Sequence, residues 1–169
     1  MTKKSRMGAS VLSGEDTHFI TIDLDVFSRR RLSGLVAALG ETVFALYEGP
    51  WKSRYAAILE LAIPSKMTKM TADGEIRRFI SLINALPSNA RYYWDNAQSR
   101  TFNIGIQSGM HPHAHILRIS NKTIEEAARL GADVAITTYA AYVENDKDNI
   151  IQMQQRPPNN RLKLTAHLA

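Results

Sequence analysis

Three histidines crowd one short segment of this sequence, and they are its most concentrated set of potential metal ligands: His111, His113 and His115. In an extended segment, side chains two residues apart project to the same face, and neutral imidazoles that share a face can ligate zinc. The spacing therefore makes the three histidines a candidate metal site. The alternative is structural, because His115 has the same parity as the apolar Leu117 and Ile119, and no acidic residue lies close along the chain to complete a ligand set.

Two carboxylates, Asp23 and Asp25, alternate with apolar residues over positions 20–26. A period of two is typical of a strand with one buried face, so both carboxylates are expected on the polar face of that strand. Paired carboxylates perform acid–base chemistry or bind a divalent ion, although on a one-sided sheet they are more often only the solvated face. Together with His111 and His113 they define one functional alternative, a metal- or anion-dependent enzyme that uses the polar sheet face.

A run of three arginines, Arg29, Arg30 and Arg31, comes directly before a predicted helix. Each cation at a helix N-terminus opposes the helix macrodipole by roughly 0.3–1 kcal/mol when exposed. The cluster therefore requires a compensating negative charge, from the two aspartates of the first strand or from a bound anion, unless it is a solvated loop. We treat these arginines as a candidate anion-binding site.

A tryptophan, Trp51, follows Pro50 in a segment that the pattern predicts to be a hairpin loop. Tryptophans at such positions often anchor a partner protein. Trp51 is therefore the candidate partner-binding residue.

The net charge of +5 is concentrated in the two ends of the 169-residue chain. The first and last fourteen residues carry six Lys and Arg and no acid; the remainder carries 15 Lys and Arg against 16 Asp and Glu. Basic ends can contact phosphate non-specifically, but the composition of the body predicts no nucleic-acid-binding surface. The chain has no cysteine, which excludes disulfides and thiolate metal sites, and it has no apolar run near the ~20 residues of a membrane helix.

The apolar periodicity predicts six strands and three principal helices. Strands are expected over residues 18–26, 42–48, 55–63, 102–106, 114–119 and 134–139, and helices over 28–40, 71–86 and 120–130, with a short helical continuation over 88–97. The order is β-α-β-β-α-β-β-α-β. This predicts an α+β fold with a single mixed or antiparallel sheet, helices on one face, and a part that is ferredoxin-like.

The domain organisation follows from where this periodicity begins and ends. Residues 1–16 are predicted to be a flexible lead, 17–144 a single domain, and 145–169 a disordered tail that lacks apolar periodicity.

Three stretches, SRTFNIGIQSG, LGADVAITTY and the opening DLDV with LVAALGETVFALY, resemble a family of small bacterial α+β proteins of unknown function. The resemblance covers roughly His18 to Ala140 and rests on strand cores and helix stops. It implies the fold and the single domain, and it brings no catalytic residue with it.

These observations predict a small cytoplasmic binding or interaction module with no chemistry of its own and no cofactor. Its partner is a protein or a small ligand, with no role for a membrane. The metal- or anion-dependent enzyme is the alternative, and the sequence does not decide the oligomeric state.

Overall fold

A computed structural model describes residues 16–62, 71–109 and 111–140. The predicted lead and tail thus lie outside the described residues, apart from Asp16. These described residues contain five strands and four α-helices, with a short 3₁₀ turn at Gly40–Thr42. The strands are β1 His18–Ser28, β2 Val43–Trp51, β3 Arg54–Leu61, β4 Ser99–Gln107 and β5 Asp133–Tyr139; the helices are α1 Ser33–Leu39, α2 Ala72–Asn84, α3 Ser88–Asp95 and α4 Asn121–Arg129.

The five strands form one mixed sheet in the order β2-β3-β1-β4-β5. Strand β3 is antiparallel to both β1 and β2, so β1-α1-β2 is a βαβ unit whose two strands are separated by β3. Strand β4 pairs antiparallel with β1. Strand β5 follows α4 in the chain and pairs parallel with β4. The predicted α+β class and the single mixed sheet are confirmed.

The prediction of a sixth strand over residues 114–119 differs from the structure, which describes this segment as an irregular connection to α4. The reason is topological: β4 already lies between β1 and β5, so no free edge of β4 remains for a strand that returns beside it. Leu117 and Ile119 instead pack against the core from this connection. Their alternation reflects packing on the core and not membership of the sheet.

All four helices contribute to one core on a single face of the sheet. In β1, alternate residues Ile22, Leu24 and Val26 are fully buried against the helices, and the residues between them lie on the opposite, open face. The alternation that predicts β1 therefore also fixes which side chains lie on each face.

Among the described helices, α2 contributes the most buried apolar residues to this core. The Thr71 hydroxyl caps it by accepting a hydrogen bond from Gly74 N at 3.2 Å. The apolar stripe predicted from the sequence is buried, namely Ile76, Phe79, Ile80 and Ile83. Phe79 contacts Phe102 of β4, with 6.1 Å between ring centroids. The described part of the chain contains no helix that could cross a membrane, since α2, its longest, has 13 residues.

The core is closed at one end by Trp94 and Arg100. Trp94 is fully buried, and its Nε1 donates to the carbonyl of Leu130 at 3.1 Å. Arg100 donates from its guanidinium to four backbone carbonyls, those of Trp94, Asp95, Ala97 and Gly131. These bonds fix the turn between α3 and β4, and this turn forms one wall of the site described next.

Candidate anion-binding site at one end of the sheet

The strand register brings three separate parts of the sequence together at one end of the sheet. Ser28 at the end of β1 pairs with Tyr55 at the start of β3, and Phe27 pairs with Ser99 at the start of β4. The arginine run at 29–31 therefore emerges between the β2–β3 hairpin and the turn that precedes β4.

The three arginines are held in a turn that delays the start of α1. The sequence predicted a helix from residue 28, but Ser28 still belongs to the β1 ladder, and its hydroxyl accepts a hydrogen bond from Arg30 N at 3.1 Å. The helix begins only at Ser33, so the arginines precede it on an irregular segment. All three arginine side chains are exposed.

Aromatic rings hold three guanidinium groups at this end. Arg30 lies over the ring of Tyr92, 5.6 Å from its centroid, and also donates to the Tyr92 hydroxyl. Arg31 lies 5.9 Å from the ring centroid of Tyr55. The closest of these contacts joins Arg54 to Phe27, at 4.0 Å. A cation over an aromatic face is oriented by the ring but keeps its full charge.

We call this surface the arginine end; it comprises the four arginines 29, 30, 31 and 54 and the rings of Phe27, Tyr55 and Tyr92. The ion pairs among the described residues involve other arginines: Arg77 with Asp73, Arg91 with Asp95, and Arg129 with Glu125. The sequence left open whether Asp23 and Asp25 compensate the arginine run. Within residues 16–62, 71–109 and 111–140, aromatic rings hold Arg30 and Arg31, and no carboxylate pairs with the run.

Two depressions flank the arginine run. One, of about 440 Å³, is lined by Ser28, Arg29, Arg30, Asn96, Ala97 and Gln98. The other, of about 330 Å³, lies on the opposite side and includes Arg31, Glu48, Pro50 and Tyr55 in its lining. Guanidinium and amide N–H groups are thus available in the first depression to donate to an anion, and arginine is the side chain best matched to carboxylate and phosphate.

Trp51 lies at the same end of the sheet as the arginines. It belongs to the end of β2, where it pairs with Arg54, while the turn itself falls at Lys52. Its ring is half-buried and contacts the rings of Phe27 and Tyr47, with centroids 6.2 and 5.7 Å away. Trp51 is therefore less exposed than its predicted loop position implied, and it supports the Phe27 ring that Arg54 covers. The spacing of Trp51 and Phe27 along the sequence does not predict their contact, which arises from the register of β2, β3 and β1.

The two aspartates lie on the open face, as the alternation predicted. Across β1 and β4, Asp23 pairs with Asn103, and the register places Glu60 of β3 on its other side. Burial raises the pKa of Asp23 to about 7, and the charges of Glu60 and Asp25 add to this effect. Among the described residues, Asp23 Oδ1 is a buried oxygen without a hydrogen-bond partner. Asp23 therefore holds a proton much more readily than an ordinary carboxyl.

Asp25 is in a better hydrogen-bonded position than Asp23. Burial raises the pKa of Asp25 to about 6, whereas a hydrogen bond from Asn103 acts in the opposite direction. Thr137 orients Asn103 by donating to its Oδ1 at 2.8 Å, which leaves the Asn103 amide group to donate to Asp25. Side chains from four strands thus form a polar row on the open face, in which the two aspartates bind a proton more readily than ordinary carboxyls.

The three histidines, His111, His113 and His115, are exposed and lie outside any described strand, so the same-face argument for metal binding does not apply to them. His111 forms a single bridge with Asp16, and its carbonyl accepts a hydrogen bond from Thr17 N. No group of three or more potential ligands that could hold a metal ion occurs in the described parts of the chain. The structure thus does not gather the histidines with Asp23 and Asp25 into a metal centre.

Comparison with known proteins adds no functional information: no protein-family model, no curated protein and no solved structure matches the chain. The argument for function therefore rests on the geometry of the arginine end and of the open face.

Proposed function

We propose that this protein is a binding module that recognises anionic groups at the arginine end and performs no reaction on them. The observation that carries the proposal is that, within the described part of the chain, Arg30, Arg31 and Arg54 are held by aromatic rings and not by carboxylates. A guanidinium oriented in this way loses little freedom on binding, and its charge and hydrogen-bond donors remain available for a ligand. The proposal places the module in the cytoplasm, with which a chain that lacks cysteine is compatible.

The composition of the site also favours recognition over catalysis. Its polar groups are guanidinium and amide donors with a few hydroxyls, and the acid that lines it is Glu48 of the second depression. A general base or a nucleophile with an adjacent base is the usual signature of acyl or phosphoryl chemistry. A donor-rich surface with aromatic support is typical of anion recognition instead.

Removal of two arginines should abolish most of this binding. Inorganic tripolyphosphate is titrated into the full chain, and the fluorescence of Trp51 reports occupancy because that ring contacts Phe27 of the arginine end, whereas Trp94 is fully buried. We expect the double variant Arg30→Ala with Arg31→Ala to bind at least tenfold more weakly, since a hydrogen bond to a charged group contributes about 1.5–3 kcal/mol.

The matched control is Arg78→Ala, which removes an exposed arginine of α2 and should leave the affinity for tripolyphosphate unchanged. Equal affinities of the wild-type protein and the double variant would show that the arginine end is not the binding site.

A second candidate function is an enzyme that uses the open face, and the observation in its favour is the proton-holding Asp23 with its unpartnered oxygen. Such a carboxyl is suited to general acid–base work near neutral pH. Its metal-dependent form requires the histidines as well. We expect dialysed protein to take up no stoichiometric zinc, and zinc should not raise the melting temperature. Uptake of one zinc per chain that is lost on His113→Ala would favour the enzyme.

A further inference from the structure

The positive charge of the arginine end is confined to a small region of the described surface. The described residues include twelve Lys and Arg and twelve Asp and Glu. Residues 16–62 have five basic and six acidic side chains, residues 71–109 have four basic and three acidic, and residues 111–140 have three of each. Four of the twelve cations belong to the arginine end. Because the described part of the chain is close to neutral, it does not generate a strong long-range field, and within this part of the chain the attraction of an anion is local to the arginine end.

Acidic side chains border the arginine end on two sides. Glu48 lines the depression beside Arg31. The open face behind Phe27 carries Asp25 in the same strand, and this carboxyl, with its pKa raised to about 6, is mostly ionised at neutral pH. A ligand whose negative charge extends beyond the arginine end in these two directions meets repulsion.

The width of the favourable zone follows from the strand spacing. The two depressions extend from β2 on one side of the arginine run to the turn before β4 on the other, which is three strand spacings in the order β2-β3-β1-β4. At about 4.8 Å per spacing, the zone is roughly 14 Å wide. An extended peptide crosses it with about four residues, at about 3.3–3.6 Å each.

From this confinement we infer that the anionic ligand is a short acidic segment of a partner polypeptide. In this segment, glutamate or aspartate carboxylates are interspersed with aromatic or aliphatic side chains. The inference rests on the proposed function. Carboxylates accept paired hydrogen bonds from the arginine forks. The apolar side chains find Tyr92, which is 44% exposed, and the Pro50 and Tyr55 side of the second depression. Arginine, tyrosine and tryptophan are also the residues most enriched at the energetic centres of protein interfaces.

A nucleic acid strand fits this surface less well. A nucleic acid carries phosphate charges along its whole length, in duplex DNA about one every 3.4 Å of helix axis on each strand, and it continues past the arginine end in both directions. Its further phosphates then face the bordering acids, whereas a peptide places its charges only where arginines lie.

The experiment compares fluorescein-labelled probes by anisotropy with the full chain at about 150 mM salt, where exposed charges are screened within ~8 Å. The probes are a short peptide that alternates glutamate with tyrosine and leucine, the same peptide with glutamine in place of glutamate, and an oligothymidylate of equal charge. We expect the acidic peptide to bind at least tenfold more tightly than either of the other two. The double variant Arg30→Ala with Arg31→Ala should lose at least tenfold, and Arg78→Ala should lose nothing.

Each other outcome decides against the inference. If the oligothymidylate binds as tightly as the acidic peptide or more tightly, the partner is a nucleic acid. If the glutamine peptide binds as tightly as the acidic peptide, the carboxylates do not contribute to recognition. If tripolyphosphate binds but the acidic peptide does not, the inference fails while the proposed function stands; if neither binds, both fail. Should the double variant not fold, Arg29→Ala replaces it, because Arg29 lines the first depression and is not held by a ring of the described residues.

Discussion

Replacement of Phe79 by alanine should lower the free energy of unfolding by about 3–5 kcal/mol, a large part of the stability of a domain of this size. The side chain is fully buried and contacts the ring of Phe102, so its loss removes apolar burial and leaves a cavity between α2 and β4. Urea unfolding followed by circular dichroism measures the change as a shift of the midpoint at constant slope.

The neighbouring Arg78→Ala is the control for this measurement, because its exposed side chain should change stability by no more than ~0.5 kcal/mol. A loss below about 1 kcal/mol for Phe79→Ala would contradict the assignment of α2 to the centre of the core.

The second large effect is on the pH dependence of stability. Asp23 binds a proton more tightly in the folded state, where its pKa is raised to about 7, than in the unfolded chain. Its contribution to stability is therefore fully present below about pH 4 and is lost as the pH rises through 7. Asp25, with its pKa raised to about 6, acts in the same direction, and so does Glu75, whose pKa burial also raises.

The isosteric Asp23→Asn substitution removes this ionisation. One pKa unit corresponds to 1.36 kcal/mol, so even half of the shift, after screening by solvent, makes the variant roughly 2 kcal/mol more stable than wild type at pH 8. At pH 4 the two proteins should agree to within ~0.5 kcal/mol. Urea unfolding at both pH values measures the difference, with the exposed Asp133→Asn as the control. A variant that is less stable at pH 8 would show that the Asp23 carboxylate is well accommodated on the open face.

Much of the fold can be predicted from the sequence because individual strands and helices show their own periodicity of apolar residues. The alternation over residues 20–26 predicts β1 and its two faces, and the stripe from Ile76 to Ile83 predicts α2. The prediction is wrong for residues 114–119, since strand membership depends on a free neighbouring edge, which is a property of the whole sheet. The early start predicted for α1 was wrong for a similar reason, because ladder pairing holds Ser28 in β1.

The candidate site was predicted only in pieces. The sequence singled out the arginine run and Trp51 separately, and it gave no sign that Arg54, Tyr55 and Tyr92 join them. Their proximity depends on the register between β1 and β3 and on the packing of α3 beside α1. Likewise, the near-neutral average charge of the body conceals four arginines at one end of the sheet and the carboxylates of the open face.

The measurement that tests the central claim most directly is the mapping of backbone amide shifts in the ¹⁵N-labelled full chain during titration with inorganic tripolyphosphate. The account predicts saturable changes in three stretches that are distant in sequence and meet at the arginine end: residues 28–31, 53–55 and 96–98. Changes centred on Asp23, Asp25 and Asn103, or no change at millimolar ligand, would contradict it.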